Sequence, residues 1–490
     1  MCIRPARTWP DNVAISVFVI VFAAQAYFTN PHGWAQNARF IPILSFVEPG
    51  QDQYTFHIDH LVRRGPKRDT GTSDWTLHDG HYYSNKAPGT HLLGAPAYLL
   101  LFHLERLLGL APLSRELTRT NRALLNLWCT VVWTALAAAL FNRFLLARGT
   151  STAGAVLVSV GYVLGTLIFP FGTSLWGHTT SAAFLLIAAC LLFWPHGVRA
   201  PTLCGFSAGL AVLTDYTAVL PCACLAITAL ARVDRRALVR LALGAAMPLA
   251  TLLIYQKLCF GDFLTTSVAA TNPAFVEQGK LVGVLGLPSA SVFGANLLSP
   301  YRGLLLFCPV LAFALPGAIL AWKDGQKALV AVSVSSILAV LVLAASFNGW
   351  WAGWATGPRY LIVSIPFWCL LLPDVGRLRR IVRCAFLATM ALSCFNMVAI
   401  AAVEVMVNPA FHNPLYGNVY RRFLAGRYPH APHAYNAGSR IFGLPPLWDL
   451  IPLALLFATW LAWCAWARRD QLLQLRPQPS SSAPPGAALP

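Results

Sequence analysis

The chain has 490 residues, of which 57% are hydrophobic and 11% are charged. The charged share is about half that of a soluble domain, which excludes a disordered chain, a coiled coil and a soluble nucleic-acid binder. The formal net charge of +18 therefore indicates no nucleic-acid partner. It fits the basic residues that membrane proteins gather in their cytoplasmic loops.

Apolar segments recur along the whole chain, and most are long enough to cross a bilayer as a helix. They lie near 13–29, 91–110, 122–142, 152–170, 178–195, 203–231, 238–256, 303–322, 327–346, 358–373, 384–404 and 449–466. We predict an all-α, polytopic protein of a bacterial cytoplasmic (inner) membrane with about 11–13 transmembrane helices. Residues 1–470 form one membrane-embedded domain. Residues 471–490 form a cytoplasmic tail whose Pro/Ser/Ala-rich end is expected to be disordered.

The first apolar run admits two interpretations. Arg4 and Arg7 precede it, and Ala24-Gln25-Ala26 is similar to a signal-peptidase site. We favour an uncleaved membrane anchor, because further membrane segments follow instead of a secreted domain. The N-terminus and the C-terminus are then both cytoplasmic.

Clusters of basic residues set the predicted orientation of the other segments. They lie at 232–240, 323–327, 377–383 and 468–476. Placing these clusters and the N-terminus inside leaves outer loops at 30–90, 257–302, 347–357 and 405–448. The first of these loops is unusually long.

The region between the first and second outer loops is compatible with two topologies. If 91–110 and 203–231 each cross once, three arginines lie outside (Arg143, Arg148 and Arg199). If 91–110 does not cross fully and 203–231 is a broken, re-entrant pair, the same arginines lie inside. Counting basic residues does not separate the two topologies.

Asp215 distinguishes the two topologies. It lies midway along 203–231, and an ionisable group inside a membrane is costly unless it faces water. A break at Thr214-Asp215-Tyr216 would bring its carboxylate to a water-filled cavity. We therefore favour the broken pair.

The first outer loop, 30–90, carries six of the 18 acidic residues of the chain. They are Glu48, Asp52, Asp59, Asp69, Asp74 and Asp79. The loop ends at Lys86, just before an apolar segment, where the phosphate of a membrane lipid would lie. A lysine is a point cation suited to a phosphate, although interfacial lysines also snorkel to lipid headgroups without a specific ligand.

Several segments resemble lipid-dependent glycosyltransferases of the protein O-mannosyltransferase and aminoarabinose transferase group, which have the fold called GT-C. Gly80-His81-Tyr82-Tyr83-Ser84-Asn85-Lys86-Ala87-Pro88-Gly89 is similar to the Tyr-x-x-Lys-Pro-Pro stretch of that group. Asn37-Ala38-Arg39-Phe40 and Gly209-Leu210-Ala211-Val212-Leu213-Thr214 resemble two further segments of it. Uncharacterised bacterial members have features similar to Ser299-Pro300-Tyr301-Arg302-Gly303, Trp350-Trp351-Ala352-Gly353-Trp354 and Gly357-Pro358-Arg359-Tyr360.

The resemblance implies inverting transfer of a sugar from a polyprenyl-phosphate donor to a hydroxyl of a glycan, lipid or protein on the outer face of the membrane. Membrane lipids are further expected partners. Lys86 matches the phosphate-binding lysine of the group. The donor-binding set that we expect is Lys86, Arg39, Tyr82, Tyr83 and His81, to which charge and outer-face placement add Arg302 and Arg359.

The sequence departs from the group at the expected catalytic acid. The characterised enzymes have an acidic pair just before an Arg-Tyr, whereas this chain has Gln36 and Asn37 before Ala38-Arg39-Phe40. Neither amide can act as a base near neutral pH. If the base has moved within the same loop, Asp59 and Asp74 are the catalytic candidates.

Other polar and aromatic residues are candidates for a substrate cavity. They are Asn37, His178, Asp215, Trp351 and Tyr360. We predict no metal ligands, because no CxxC pair occurs and prolines flank His430 and His433. No cofactor is firmly predicted, and a divalent cation held by Asp59 or Asp74 with waters stays an alternative.

Two other functions remain open at this stage. A transporter or flippase of a lipid-linked sugar would share the ligand, but internal repeats are absent and the polar residues crowd one face of the membrane. A catalytically inactive GT-C-like scaffold subunit would explain the amides at 36 and 37. Glycosyl transfer is the function that the ordered set of motifs favours.

Overall fold

The computed structural model describes residues 9–63, 70–194, 199–427 and 435–474. Arg4, Arg7, Asp69, His430, His433 and residues 475–490 of the predicted tail lie outside the described residues. The first twelve helices are α1 Trp9–Ala26, α2 Trp34–Val47, α3 Asp59–Arg63, α4 Gly89–Leu107, α5 Arg115–Asn126, α6 Val132–Ala147, α7 Thr152–Leu164, α8 Ile168–Phe171, α9 Gly177–Leu192, α10 Ala200–Thr214, α11 Val219–Arg232 and α12 Arg235–Phe260. The remaining helices are α13 Ala290–Leu298, α14 Leu304–Phe307, α15 Ala314–Lys323, α16 Lys327–Ser346, α17 Ile365–Leu370, α18 Arg380–Val403, α19 Arg421–Leu424, α20 Ala437–Phe442 and α21 Ile451–Gln474.

Five helices within the described ranges are long and apolar enough to cross a membrane. They are Arg115–Ala147, Arg235–Phe260, Lys327–Ser346, Arg380–Val403 and Trp448–Trp466. Seven more apolar helices have 10–17 residues. The prediction of an all-α, polytopic membrane protein is confirmed. The first of the five helices joins α5 to α6 through a π-helical turn at Leu127–Val131.

The strands are short and form two antiparallel pairs. β1 (Phe28–Thr29) pairs with β4 (Tyr435–Asn436), which joins the end of α1 to the last outer loop. β2 (Trp75–His78) pairs with β3 (His81–Ser84) as a hairpin. Asp79 and Gly80 turn this hairpin with φ angles of 47° and 81°. Asp-Gly is favoured there because a tight turn of this kind needs two residues with positive φ.

The long helix formed by α5 and α6 runs antiparallel to α1. Near its C-terminal end, Arg143 Nη2 lies 2.9 Å from Asp11 Oδ1, at the start of α1. At the opposite end, Arg119 lines a cavity together with Thr29 and Tyr435. α4 starts at Gly89 and is followed by α5, which starts at Arg115 at this same end of the bundle, so α4 begins and ends at one end of the bundle. The second of the two predicted topologies requires this arrangement, and which end faces outward stays a prediction.

The predicted break at Asp215 is confirmed. α10 ends at Thr214, and Asp215 has an extended backbone with φ −152° and ψ 118°. After one 3₁₀ turn α11 begins, and it ends at Arg232, whose guanidinium lies 5.2 Å from the ring centroid of Phe193 after α9. α10 and α11 are therefore a broken pair, and the break brings Asp215 to the end of the bundle where α9 begins.

α9 is the central helix of the bundle. Every residue from Gly177 to Cys190 is buried, as expected of a helix that is apolar on all sides. Its first turn therefore lies inside the protein, facing the ends of several neighbouring elements. The candidate site is built around this turn.

Close packing of α10 on α12 depends on two glycines. A Cβ on Gly205 would lie 1.9 Å from Leu241 O, and one on Gly244 would lie 2.0 Å from Thr202 O. Small residues allow such backbone approach between membrane helices. The two helices carry Asp215 and the start of the 257–302 loop, so their spacing also sets the position of parts of the site.

We expect Gly205→Ala to destabilise the protein by about 1–3 kcal/mol, because the new methyl group forces the two backbones apart. Thermal unfolding in detergent, followed by tryptophan fluorescence, measures the change. The matched control is Gly294→Ala, also within a helix, where an added Cβ meets nothing within 4 Å. The control is expected to be neutral or slightly stabilising. Equal melting temperatures for Gly205→Ala and the wild type would contradict this packing.

Candidate functional site

The open end of the β2–β3 hairpin presents an ion pair. Asp74 precedes β2, Lys86 follows β3, and Lys86 Nζ lies 3.2 Å from Asp74 Oδ2. Both side chains are largely buried. The 257–302 loop holds this end in place, because Ser267 Oγ donates to Lys86 O at 3.2 Å and Asn85 Nδ2 donates to Thr271 Oγ1 at 2.8 Å.

Arg39 supplies a second cation from α2. Its side chain is buried, and Nη1 donates to Ala35 O at 2.7 Å. Its Nε is buried and has no hydrogen-bond partner among the described residues. A Cβ on Gly177 would lie 2.9 Å from this Nε. Because Gly177 has no side chain, the Arg39 guanidinium can lie against the first turn of α9.

A buried histidine–aspartate pair lies beside Arg39. His178, in the first turn of α9, pairs through Nδ1 with Asp215 Oδ2 at the break between α10 and α11. Asp215 Oδ1 accepts hydrogen bonds from Thr217 N at 3.0 Å and Thr217 Oγ1 at 2.8 Å. These contacts hold the carboxylate facing the imidazole. His178 Nε2 makes no hydrogen bond within the described part of the chain.

Arg359 is the third cation of the site. Its guanidinium carbon lies 4.7 Å from the ring centroid of Trp176 and 5.6 Å from that of Tyr360. Tyr360 in turn meets the His178 ring edge-on, with centroids 6.0 Å apart. Arg359 Nε is buried and, like Arg39 Nε, lacks a hydrogen-bond partner among the described residues.

The charges of these residues act on one another. Burial lowers the pKa of Arg39 to about 10, with Asp215 and Asp74 opposing the change and Arg359 adding to it. Burial also lowers the pKa of Lys86, which Asp74 opposes and the two arginines reinforce. Three cations and two carboxylates leave an excess of one positive charge. Together with two unpartnered guanidinium nitrogens, this excess suits the oxygens of a phosphate.

The two amides at the expected acid positions hold the local structure. Gln36 Oε1 accepts from Gly33 N at 3.0 Å, which caps the start of α2. Asn37 Nδ2 donates to Gly71 O at 2.8 Å, and this bond ties α2 to the segment before Asp74. An amide can donate to a carbonyl, which an ionised carboxylate cannot do.

The structure separates Asp59 from Lys86. Asp59 starts α3, and its carboxylate accepts from Tyr82 N at 2.6 Å and pairs with His81 Nδ1 at 2.7 Å. Tyr82 stands four residues before Lys86, which is on the order of 10 Å along an extended chain. Asp74, in contrast, contacts Lys86 directly. From the sequence we grouped Asp59 and Asp74 as acids of one loop. The hairpin separates them, because Asp59 lies at its turn end and Asp74 lies with Lys86 at its open end.

The tyrosines of β3 point to opposite faces of the hairpin. Tyr83 is buried against Phe260, with ring centroids 5.3 Å apart. Tyr82 meets Trp75 edge-on at 5.0 Å. Alternation along a strand accounts for the difference. Both tyrosines support the hairpin.

Arg302 holds the outer loops together. All three of its guanidinium nitrogens donate to carbonyls: Nε to Trp351 O at 2.7 Å, Nη1 to Tyr301 O at 3.1 Å and Nη2 to Gly353 O at 3.1 Å. Its side chain is buried. The Trp351 backbone is thus a partner of Arg302, and the Trp351 side chain is partly exposed. Neither residue contributes a contact to the His178–Asp215 pair.

Sequence reasoning placed His178 and Asp215 separately in a cavity and missed that they pair. They are 37 residues apart, and no local motif joins them. The usable signal was their position, because each lies where an apolar segment begins or breaks on the predicted outer side. Ionisable groups at two such ends have a reason to meet, because each offsets the cost of burying the other.

Solved structures resemble this chain. Two of them are crystal structures of ArnT from Cupriavidus metallidurans, an aminoarabinose transferase with the GT-C fold. The apo structure is 16% identical, with a TM-score of 0.49, and the match covers 85% of this chain and 68% of that one. The structure bound to undecaprenyl phosphate is 15% identical, with a TM-score of 0.49, and covers 92% and 75%.

No protein-family model matches the chain, and no curated protein matches it. The two ArnT structures are of the group whose motifs the sequence resembles. At these identities and TM-scores the likeness is remote. The function proposed below therefore rests on the side chains of the site.

Proposed function

We propose that this protein transfers a sugar from a polyprenyl-phosphate donor to a hydroxyl of a glycan, lipid or protein acceptor. The observation that carries the proposal is the convergence of Arg39, Lys86 and Arg359 beside the His178–Asp215 pair. Two buried guanidinium nitrogens lack partners there, as expected where a phosphate binds. The proposal places the reaction at the outer face of a bacterial cytoplasmic membrane, with both termini in the cytoplasm.

The three cations bind the donor phosphate and stabilise it as a leaving group. Lys86 exchanges Asp74 for a phosphate oxygen, while Arg39 and Arg359 each direct an Nε hydrogen toward the phosphate. Negative charge develops on the phosphate oxygen as the bond to the sugar breaks, and preorganised cations lower the energy of that state. The lipid bound in one ArnT structure, undecaprenyl phosphate, belongs to the class that we propose here.

His178 serves as the general base, and Asp215 orients it. The carboxylate holds the proton on Nδ1, which leaves the lone pair on Nε2 available. Nε2 takes the proton of the acceptor hydroxyl, the hydroxyl oxygen bonds to C1 of the sugar, and the bond from C1 to the phosphate oxygen breaks. The electron pair leaves with the phosphate, and C1 is inverted. Asp74 acts as the counterion of Lys86 in the resting protein.

The function is tested by release of free polyprenyl phosphate. Purified protein in lipid nanodiscs is incubated with a panel of radiolabelled polyprenyl-phosphate sugars and a cell-envelope extract as acceptor source. We expect one donor to release polyprenyl phosphate, and Lys86→Ala to abolish the release. Release that persists unchanged in Lys86→Ala would contradict the proposed site.

Donor affinity is expected to fall as the pH rises from neutral toward the ordinary pKa of a lysine, about 10.4, because Lys86 binds phosphate only when protonated. Burial, Arg39 and Arg359 lower the pKa of Lys86, and Asp74 opposes them. The proton is therefore lost at a lower pH than from an ordinary lysine. A bound phosphate raises this pKa again, so binding takes up a proton. Equilibrium binding of polyprenyl phosphate across this pH range measures the effect.

The matched control for this pH dependence is Lys86→Arg, because arginine stays charged throughout the range. We expect the variant to bind with an affinity that changes little over the same pH range. An identical pH dependence in Lys86→Arg and the wild type would show that another group is titrating.

A further inference from the structure

A second cluster lies at the turn end of the β2–β3 hairpin, away from Lys86. His57, Asp59 and His81 converge there, and one ligating atom from each lies within 4.8 Å of the other two. His57 precedes α3, Asp59 starts it, and His81 starts β3. Three separate points of the first outer loop are thus brought to one place.

The carboxylate at the centre of this cluster is already oriented. Asp59 Oδ1 accepts from Tyr82 N at 2.6 Å, while Oδ2 lies 2.7 Å from His81 Nδ1. Hydrogen bonds to backbone amides typically fix carboxylates that ligate metals. The His57 and His81 rings lie face to face with centroids 4.0 Å apart. Two stacked imidazoles therefore lie next to the oriented carboxylate.

The cluster is open to solvent on one side. The His81 side chain is 47% exposed, whereas that of Asp59 is 14% exposed. An ion bound by the three side chains would therefore complete its coordination with water. Two imidazole nitrogens, one carboxylate oxygen and water form the ligand set of a Zn²⁺ ion with an open position. Mg²⁺ and Ca²⁺ prefer sites made of oxygen ligands only.

We propose that His57, Asp59 and His81 form a binding site for a divalent transition-metal ion, of which Zn²⁺ fits the ligands best. From the sequence we predicted no metal ligands and kept a divalent cation at Asp59 or Asp74 as an alternative. The proposed site includes Asp59 and adds His57 and His81, whose pairing depends on the hairpin. Its bound ion would join the start of α3 to the strand that leads to Lys86. The proposal does not depend on the transfer reaction.

Binding is tested with Co²⁺, whose visible absorption reports its ligands. Full-length protein in detergent is stripped with a chelator, dialysed and titrated with Co²⁺. We expect saturation at one equivalent, displacement by Zn²⁺, and affinity lower by at least tenfold in His57→Ala, Asp59→Asn and His81→Ala. Zn²⁺ is also expected to raise the melting temperature of the wild type and leave that of His81→Ala unchanged.

Two control variants separate the site from general surface binding. His103→Ala removes an exposed histidine on α4. Asp79→Asn removes the carboxylate of the hairpin turn, which is 88% exposed. Both are expected to bind Co²⁺ as the wild type does. Absence of saturable binding, or equal binding in His81→Ala and the wild type, would overturn the proposal. Because His81 is exposed, His81→Ala is expected to fold, and it still tests the site if Asp59→Asn unfolds.

Discussion

Replacing His178 with alanine is expected to lower the turnover of sugar transfer by about 10²- to 10⁴-fold, which is the range for loss of a general base. The imidazole touches the reacting hydroxyl in our mechanism, whereas the donor phosphate is bound by other residues. The affinity for the donor should therefore change little. Single-turnover transfer at saturating donor, together with equilibrium donor binding, separates the two effects.

The role of Asp215 provides a related control. Asp215→Asn keeps the size of the side chain, but the neutral amide no longer holds the proton on His178 Nδ1. The tautomer with a basic Nε2 is therefore no longer favoured. We expect a loss of turnover of at least tenfold, with donor binding retained. His103→Ala, an exposed histidine far from this pair in sequence, should leave turnover unchanged. Full turnover in His178→Ala combined with none in Asp74→Asn would instead identify Asp74 as the base.

Replacing Arg39 with alanine is expected to weaken donor binding by about 10- to 100-fold. A hydrogen bond to a charged group contributes about 1.5–3 kcal/mol, and every 1.4 kcal/mol corresponds to a factor of ten in affinity. Equilibrium binding of radiolabelled polyprenyl phosphate to protein in nanodiscs measures the loss.

Two further variants distinguish charge from geometry at this position. Arg39→Lys keeps the charge but lacks the planar guanidinium, and we expect an affinity between those of Arg39→Ala and the wild type. Arg106→Ala removes an exposed arginine on α4 and should not alter donor binding. If Arg39→Ala binds polyprenyl phosphate as tightly as the wild type, its unpartnered Nε does not face the phosphate.

The sequence predicts much of this architecture because burial in a membrane imposes a strong pattern. Long apolar segments indicate the helices, and the cost of burying Asp215 indicates the break between α10 and α11. Lys86 was singled out because it follows a loop and precedes an apolar segment. Each of these signals is local, and the structure shows the corresponding element where the sequence indicates it.

Contacts between distant parts of the chain decide which residues form the site, and no local sequence pattern predicts these contacts. Asp59 and Asp74 were equivalent as acids of one loop, and only the length of the β2–β3 hairpin separates them. His178 meets Asp215 because the first turn of α9 packs at the break after α10. Arg302 and Arg359 both follow proline-containing outer motifs, yet carbonyl groups surround the first and aromatic rings the second. Tertiary packing decides each of these outcomes.

The most direct test follows the fate of the donor in proteoliposomes that contain purified full-length protein and a cell-envelope extract as acceptor source. A polyprenyl phosphate carrying a radiolabelled sugar is supplied, and labelled acceptor, free polyprenyl phosphate and the distribution of intact donor between the leaflets are measured together. We predict that labelled acceptor and free polyprenyl phosphate form in equal amounts, and that both are lost in His178→Ala and Lys86→Ala. Intact donor that stays bound would indicate an inactive scaffold. Intact donor that crosses the bilayer without being consumed would indicate a flippase, and either result would contradict glycosyl transfer.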